Sequence, residues 1–297
     1  MEAPALTARA IAAAVAVARS FGVQVDQPRV LADLSNVIVA LTPSLVARVA
    51  TTTALVRGAA AIDHLTRDVA LTAWLHARGA PVVPPPAELP AGPHEHDGLA
   101  LSFAARVAHD PDGDKNPRCV AAALVSLHEA LRDFGSDRSV VRDALMLPRL
   151  SPPLDDLTRA LDWLEHHGGL ERATLRWLRE VHASIAHALA SVRADEQPLH
   201  GDAHAHNLLV TEHGLIWNDL EDACRGPIEW DLACLARRRP DALAVVPGAR
   251  DRDLTPFLAA RELQGAVWLT IAAARFPVHA PRAAAALAAL RGTTAMR

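Results

Sequence analysis

At 297 residues, the chain is long enough to bury a large core in one or two domains. Hydrophobic residues make up 51% of it and charged residues 22%, a composition that excludes an intrinsically disordered chain. The net charge of −4 gives no basic footprint for nucleic acid, and no apolar run is long enough to span a bilayer.

The first hundred residues predict a small lobe that contains a β-sheet. Residues 4–21 are rich in alanine and predict a helix, and apolar positions at helical spacing predict a second helix over residues 58–79. Residues 42–44 have the composition of a turn. Strands are predicted at residues 30–41, 45–50 and 98–103.

From about residue 118 the pattern becomes mainly helical. Two short strands, at residues 207–211 and 214–218, predict a hairpin within this part of the chain. Helices are predicted at residues 118–134, 155–167, 171–194, 229–239, 254–275 and 281–291.

The change in character near residue 103 predicts two lobes. The first lobe is expected over residues 1–103, an interlobe linker over 104–110, and a helical lobe over 111–297. No internal repeat is present. The expected fold class is therefore α+β.

One segment of the helical lobe carries the strongest chemical signal. It holds Asp202 and, five residues later, Asn207 ahead of an apolar run, and Asp219 follows the predicted hairpin. Phosphoryl transfer needs a carboxylate near the attacking hydroxyl, and oxygen ligands that hold Mg²⁺ on the nucleotide phosphates. These three side chains predict such a set.

The motif His-Gly-Asp-x-x-x-x-Asn at residues 200–207, followed by Asp219 and the block at 226–233, resembles the aminoglycoside phosphotransferase family. That resemblance implies a protein-kinase-like bilobal fold, with a small N-lobe that contains a β-sheet and a larger, mainly helical C-lobe. It also implies that Asp202 is the catalytic base and that Asn207 and Asp219 bind Mg²⁺. In each case the alternative is ordinary turn chemistry, in which the side chain bonds to nearby backbone.

The register around Asp219 leaves a second choice of metal ligand. The family usually has an apolar residue before this aspartate, whereas this chain has Asn218. Glu221 or Asp222 is therefore the alternative ligand. His200 is expected to brace neighbouring carbonyl groups, and Asp231 to tie a helix start to the catalytic loop.

Basic residues for the nucleotide phosphates are scarce on the predicted strands. Lys115 is the only lysine, and it lies in a predicted loop. The resemblance places Arg48 where the family holds the α- and β-phosphates, and guanidinium suits bidentate phosphate contact. Asp68 matches the acid expected to pair with Arg48. The alternatives are a solvent-facing strand arginine and a solvated helix charge.

Four further residues are predicted to contact the nucleotide. Ser35 and Asn36 match the loop that covers the phosphates, although an ordinary turn explains them equally well. Phe103 falls at the predicted start of the interlobe linker, and Leu209 is placed at the floor of the adenine pocket. Core packing is the alternative for both.

The expected reaction transfers a phosphate from ATP or GTP, with Mg²⁺, to a hydroxyl of a small molecule such as an antibiotic or a metabolite. The other possibilities are a catalytically weak nucleotide-binding protein of the same fold, and a zinc hydrolase. The zinc alternative would use His200, Asp202, His204 and His206.

Residues 1–108 hold 8 acids and 8 basic residues, and residues 109–297 hold 26 and 22. A cationic aminoglycoside would need an acidic surface on the second lobe, but this excess is small. The helix predicted over 155–167 is acidic, which a solvated helix face also explains. The chain ends without the acidic tail that some aminoglycoside enzymes use, which weighs against a role in antibiotic resistance.

The remaining expectations concern the setting of the protein. The three cysteines show no paired spacing, which is typical of a reducing cytoplasm. The flanks of the apolar residues 10–18 are unlike those of a signal peptide. A cytoplasmic monomer or homodimer, without a nucleic-acid or membrane partner, is therefore expected.

Overall fold

The computed structural model describes residues 3–136 and 147–295. Its first lobe contains an antiparallel sheet with the strand order β1-β2-β3-β5-β4. The strands are β1 (Arg29–Asp33), β2 (Asn36–Ala40), β3 (Leu45–Ala50), β4 (His94–His96) and β5 (Leu99–Ala105).

Alternation of side chains along the central strands builds the core of this lobe. Val37 and Val39 of β2 are buried, and so is Val49 of β3. They pack with the alanine-rich face of α1 (Ala3–Ser20), because alanine lets a helix approach a sheet closely. This packing fixes the position of β3, and therefore the position of Arg48, which precedes Val49 on that strand.

Two predicted elements of the first lobe divide in the structure. The predicted strand at 30–41 is two strands, β1 and β2, because residues 34–35 form a turn between them. The predicted helix at 58–79 is preceded by α2 (Thr52–Arg57), and α3 (Ala61–His76) follows a 3₁₀ turn. Gly58 has a φ of +55°, which breaks the α-helical path between α2 and α3.

The second lobe is mainly helical in its described part. Two small antiparallel pairs, β6 with β9 and β7 with β8, lie within it. Its helices are α4 (Pro117–Ser136), α5 (Ser151–His167), α6 (Arg172–Ala190), α7 (Glu229–Ala236), α8 (Pro240–Leu243), α9 (Thr255–Arg275) and α10 (Ala280–Ala295). Its strands are β6 (Glu196–Leu199), β7 (Leu208–Thr211), β8 (Gly214–Trp217) and β9 (Cys224–Pro227).

Buried aromatic side chains anchor the strands of this lobe to its helices. Trp217 at the end of β8 is fully buried and donates its indole N–H to the carbonyl of Ala123 at 3.0 Å. Trp230 on α7 is also fully buried. None of the described helices is long and apolar enough to cross a membrane.

Candidate active site

The loop after β6 is fixed by the carboxylate of Asp231, which is fully buried in the first turn of α7. Its Oδ2 accepts the backbone N–H of His200 at 2.9 Å, and its Oδ1 accepts that of Gly201 at 3.0 Å. His128 of α4 contacts the same carboxylate at 2.9 Å. Asp231 therefore ties the loop to two helices, as the sequence predicts, and His128 is a polar partner within the core.

Gly201 lets this loop pass close to a second backbone segment. Its φ is +85°, and a Cβ atom at this position would lie 1.9 Å from the carbonyl oxygen of Asp222. Its own carbonyl accepts the indole N–H of Trp230 at 2.7 Å. Residue 201 must therefore be glycine, because only a residue without a side chain lets the loop approach the 219–222 segment this closely.

The imidazole of His200 braces the loop. Its Nδ1 accepts the backbone N–H of Asp202 at 3.3 Å, and its Nε2 lies 3.1 Å from the carbonyl oxygen of Asn218. These partners require a neutral ring with the proton on Nε2. Burial lowers the pKa of His200, which favours the same neutral form. Both nitrogens serve structure, as predicted for this residue.

Asp202 lies between two cationic or potentially cationic side chains. Its Oδ1 contacts Nη2 of Arg261 on α9 at 2.5 Å, and its Oδ2 lies 3.2 Å from Nε2 of His204. Burial alone would raise the pKa of Asp202, but the charges of Arg261 and His204 outweigh it and lower the pKa well below its usual range. Asp202 is therefore a carboxylate throughout the neutral pH range.

The β7–β8 hairpin brings Asn207 close to the 218–219 segment. Leu208 pairs with Trp217, so residues 207 and 218 lie opposite each other at the open end of the hairpin. The N–H of Asn218 donates to the carbonyl of Asn207 at 2.9 Å. Asp219 follows with a φ of +70°, a left-handed conformation that turns the chain away from the strand.

The oxygen atoms of this set fit a hard divalent cation. Asn207 donates its Nδ2–H to the backbone carbonyl of Asp202 at 2.9 Å, which orients its Oδ1 away from that bond. Asp219 uses Oδ1 to bind Arg48, and within the described residues its Oδ2 has no partner. An amide oxygen and a carboxylate oxygen are ligands that Mg²⁺ accepts. The chemistry of the predicted ligands therefore suits the metal.

Arg48 lies in a ring of three carboxylates. Its Nη1 contacts Oδ1 of Asp219, lies 3.3 Å from Oε2 of Glu221, and lies 3.9 Å from Oδ2 of Asp68. The predicted pair with Asp68 is present but is the longest of the three. Asp68 instead accepts the backbone N–H of Leu220 at 2.9 Å, which fixes α3 to the segment after Asp219.

Burial is the largest influence on Asp219. It raises the pKa of this carboxyl, the charge of Arg48 opposes the rise, and the nearby acids Glu221 and Asp68 add to it, which brings the pKa to about 7. Three acids thus surround Arg48, while Asp222 of the same segment binds Arg57 at 2.7 Å.

Ser35 and Asn36 follow the β1 strand and have different surroundings. Ser35 lines a cavity together with Asp202 and Asp219. Asn36 is buried; its Nδ2–H donates to Glu221 at 3.1 Å and its Oδ1 accepts the hydroxyl of Thr53. The predicted phosphate loop is thus a tight β1–β2 turn whose asparagine is occupied by protein partners.

A cavity of about 100 Å³ lies under the sheet, and we call it the sheet-side cavity. Arg48, Asp68 and Asp219 form its polar end. Apolar side chains of both lobes form the rest of it: Ile38, Val46, Val69, Val83, Phe103 and Trp217. The cavity has an apolar slot and a charged end. This arrangement suits a molecule with an aromatic ring and phosphate groups.

Of the residues predicted to contact the nucleotide, Phe103 lines this cavity and Leu209 does not. Phe103 lines it, but its backbone N–H donates to the carbonyl of Ala91 at 2.8 Å. Leu209 is not among the lining residues of the described cavities; Trp217, which pairs with Leu208, lies there instead. The lining of the slot therefore includes an indole that the sequence pattern did not single out.

A second cavity, of about 250 Å³, opens beside the first, and we call it the helix-side cavity. Asp202, His204 and Asp219 lie on its wall, and α9 provides Arg261, Gln264 and Trp268. Asp219 lines both cavities. The two cavities therefore meet at a predicted metal ligand, with the predicted base in the larger one.

The histidine-rich loop does not form the metal cluster of the zinc alternative. Both nitrogens of His200 are hydrogen-bonded, and the rings of His204 and His206 are 5.5 Å apart and nearly perpendicular. Over residues 3–136 and 147–295, the metal-ligand grouping is His64, Asp156 and Asp222. That grouping already surrounds a cation, since Arg57 donates to both carboxylates.

Two residues that shape the site carry no motif in the sequence. Arg57 on α2 contacts Asp156, Glu221 and Asp222 and is one of the polar links between the lobes. Arg261 contacts Asp202 from 59 positions away along the chain. An arginine within an apolar helix segment is the only signal that either gives.

Comparison with known proteins agrees with this architecture. A sequence profile described as the phosphotransferase enzyme family matches residues 26–261. No curated protein matches the chain. Among solved structures, APH(2")-IIia in complex with GDP and kanamycin is 14% identical with a TM-score of 0.63; the match covers 93% of this chain and 97% of that one.

Two further structures share the fold. The amicoumacin kinase hAmiN, in complex with AMP-PNP, Ca²⁺ and Ami, is 13% identical with a TM-score of 0.67, covering 95% of this chain and 93% of that one. A choline/ethanolamine kinase family protein from Mesorhizobium loti is 18% identical with a TM-score of 0.57, covering 97% and 94%. At these identities the likeness concerns the fold, and it confirms the predicted protein-kinase-like class.

Proposed function

Because the chain belongs to the phosphotransferase enzyme family, we propose that it transfers the γ-phosphoryl group of ATP or GTP to a hydroxyl group of a small molecule. The observation that carries the proposal is the meeting of the two cavities at Asp219, with Asp202 on the wall of the larger one. A nucleotide in one cavity and an alcohol in the other would present their reacting atoms to each other at this junction.

The sheet-side cavity is assigned to the nucleotide. Its apolar slot, with Phe103 and Trp217, suits a purine base, and its charged end suits phosphates. Arg48 lies at that end and offers a planar fork of donors to phosphate oxygens. Asp68 contacts Arg48 from α3 at 3.9 Å, and Ser35 lines the helix-side cavity.

Asn207 and Asp219 are assigned as the ligands of Mg²⁺. When bound, the ion neutralises the charge that develops on the phosphate oxygens during transfer. Asn207 is held by its bond to the Asp202 backbone, so the ligand and the catalytic loop keep one geometry. Asn36 supports the same corner indirectly, because it donates to Glu221.

Asp202 is assigned to the acceptor hydroxyl. The hydroxyl oxygen attacks the γ-phosphorus, the bond from phosphorus to the bridging oxygen breaks, and the nucleoside diphosphate leaves with that electron pair. Asp202 accepts a hydrogen bond from the hydroxyl and takes its proton as the new P–O bond forms. Because its pKa is low, the main contribution of Asp202 is to orient the hydroxyl.

The proposal is tested with nucleotide binding and phosphate transfer measured on the same preparation. We expect ATP and GTP to bind more tightly with Mg²⁺ than with EDTA, and a panel of alcohols to include one that raises the release of nucleoside diphosphate. In Asp202→Ala, turnover should fall by about 10²-fold or more, as for other lost acid–base groups. Nucleotide affinity should stay within about threefold, since Asp202 lies in the other cavity.

Asp195→Ala is the matched control, because Asp195 is exposed and lies away from both cavities. Its turnover should equal that of the unaltered protein. Equal turnover in Asp202→Ala would refute the role of this carboxylate. Mg²⁺-dependent nucleotide binding without any transfer would favour the alternative of a catalytically weak nucleotide-binding protein.

A further inference from the structure

Arginines of the second lobe converge on the helix-side cavity. Arg237 and Arg238 follow α7, Arg261 lies on α9 and Arg282 lies on α10. They approach from three helices that are far apart in sequence, so the cluster is a product of the tertiary fold. All four line the cavity that holds Asp202.

Three of these arginines have no protein partner within residues 3–136 and 147–295. The guanidinium groups of Arg237, Arg238 and Arg282 make no hydrogen bond and no ion pair there. Arg239, the next residue along the chain, pairs with Asp241 at 2.8 Å. The guanidinium groups of the three cavity arginines are therefore available to a ligand.

Arg261 is the buried member of the group. Its side chain is 9% exposed, with Nη2 on Asp202 and Nη1 on Gln264. Its Nε is buried and has no hydrogen-bond partner among the described residues. An unsatisfied guanidinium N–H on the wall of a cavity is costly unless a ligand atom accepts it.

The Arg237 guanidinium packs against α9 at Gly265. A Cβ atom at Gly265 would lie 2.3 Å from Nη2 of Arg237, so the absence of a side chain there makes room for the guanidinium. Partial burial and the like charges of Arg261 and Arg238 lower the pKa of Arg237, with Glu262 opposing them. These three arginines are thus close enough to repel one another.

The acids of the same cavity do not offset these charges, because they have partners of their own. Glu221 and Asp222 bind Arg57, and Asp219 binds Arg48. The acidic helix that the sequence offers as a surface for a cationic acceptor is α5, and its side chains do not line this cavity. Its Asp162 and Glu165 pair with Arg179 instead.

We propose that the acceptor alcohol carries an anionic group, a carboxylate or a phosphate, which Arg237, Arg238 and Arg282 bind while Asp202 holds the reacting hydroxyl. This inference rests on the proposed function and names its substrate class. Arginine forks suit the planar carboxylate and the phosphate alike. A polycationic aminoglycoside would meet like charges in this cavity, so such an acceptor is disfavoured.

The nucleotide phosphates are a second class of anion to consider for these arginines. The arginines lie just after α7 and on α9 and α10, whereas the sheet-side cavity is formed mainly by β2, β3, β5, α3 and β8. Arg48 already serves the charged end of that cavity. The position of the cluster therefore favours the acceptor.

The test uses three sugars that share one ring and differ in charge: glucuronate, glucose and glucosamine. Their binding to the protein loaded with AMP-PNP and Mg²⁺ is measured by calorimetry, and glucose 6-phosphate is added to compare phosphate with carboxylate. We expect the acid to bind about tenfold or more tightly than glucose, since charge-assisted hydrogen bonds are worth about that factor. Glucosamine should bind no more tightly than glucose.

The double variant Arg237→Gln/Arg238→Gln should reduce the ratio of glucuronate to glucose affinity to within about threefold. Both side chains are exposed, so the fold should be retained. Gly265→Ala is a second variant that removes no charge and favours the helix, but its methyl group occupies the place of the Arg237 guanidinium. It should also weaken the preference. Arg250→Gln, at an exposed arginine away from the cavity, is the control and should keep the full ratio.

Each contrary result overturns the inference. These results are equal or absent binding of the three sugars, tighter binding of the amine, an unchanged ratio in the double variant, or a loss of AMP-PNP affinity there in place of acid affinity. The proposed function is judged separately, from Mg²⁺-dependent nucleotide binding and from transfer to any alcohol, kanamycin included. Transfer to kanamycin but not to the acids would overturn the anionic acceptor and leave the phosphotransferase intact.

Discussion

Arg48 and Arg57 are two buried arginines that share one carboxylate but lie in different surroundings. Nη1 of Arg48 is 3.3 Å from Oε2 of Glu221, and Nη1 of Arg57 is 3.0 Å from Oε1 of the same side chain. Burial alone would lower the pKa of each guanidinium, but the surrounding acids raise it, so both are charged. Their local chemistry is nearly the same.

The two clusters differ in their access to ligands. Arg48 and Asp219 lie at the charged end of the sheet-side cavity, and the Asp219 side chain is 31% exposed. Arg57 also lines a cavity, the helix-side one, but its side chain is only 3% exposed and its partner Asp156, on α5, is 1% exposed. Phosphate oxygens can therefore replace protein partners around Arg48, whereas Arg57 keeps its own. The difference indicates that an arginine ringed by acids serves ligand binding or stability according to how far its cluster is exposed.

Removal of Arg57 should give the largest loss of stability. Arg57→Met leaves Asp156 and its neighbours buried without their cation, and loss of one partner of a buried ion pair costs about 3–5 kcal/mol. The free energy of unfolding in urea, measured without nucleotide, checks this. Arg57→Lys keeps the charge but cannot reach three carboxylates, so it should recover part of the loss.

A loss below about 1 kcal/mol in Arg57→Met would break the comparison, because Arg57 would then contribute no more than an exposed pair does. Loss of stability in Arg57→Lys equal to that in Arg57→Met would show that the fork, and not the charge, is what the three acids need.

Removal of Arg48 should affect nucleotide binding more than stability. Arg48→Met should raise the Kd for ATP with Mg²⁺ by roughly 10–100-fold, the equivalent of about 1.5–3 kcal/mol for hydrogen bonds to a charged group. The free energy of unfolding should fall by only about 1–2 kcal/mol, because water can reach Asp219. Calorimetric titration with ATP and urea unfolding of the same sample give both values.

The reverse order, with Arg48→Met destabilising more than Arg57→Met and binding ATP normally, would contradict the assignment. Arg48→Lys separates charge from geometry. It should restore part of the affinity for ATP, since a lysine is a point charge without the planar fork.

The sequence predicted the parts of this site that repeat a local pattern. Asp202, Asn207 and Asp219 follow the spacing of one loop and one hairpin, and the hairpin register alone places residues 207 and 218 opposite each other. The helices of the second lobe were also predicted, because their apolar periodicity is strong. Local order was therefore sufficient to place the loop that carries Asp202 beside the hairpin.

The remainder depends on contacts between distant residues. Arg57 meets Asp156 across 99 positions and Glu221 across 164, and no local pattern encodes such pairs. Strands β6 and β9 contain Pro198 and Gly226, which are poor strand formers, and they form because they pair with each other. The turn at 34–35 was hidden by the apolar residues on both sides of it, although Ser35 and Asn36 are typical of turns.

Glu221, the carboxylate shared by Arg48 and Arg57, gives the smallest expected effect in the comparison of the two arginines. Glu221→Gln keeps one acceptor oxygen, so either Arg57 or the pair Arg48 and Asn36 loses its acceptor, yet it also removes one negative charge from a corner where acids outnumber arginines. These effects oppose each other, so the free energy of unfolding should fall by only about 1 kcal/mol and the Kd for ATP should change by less than about threefold. Urea unfolding and calorimetry of Glu221→Gln check both values. A loss as large as that of Arg57→Met would mean that the two clusters act as one network through Glu221, because a single shared partner would then control both.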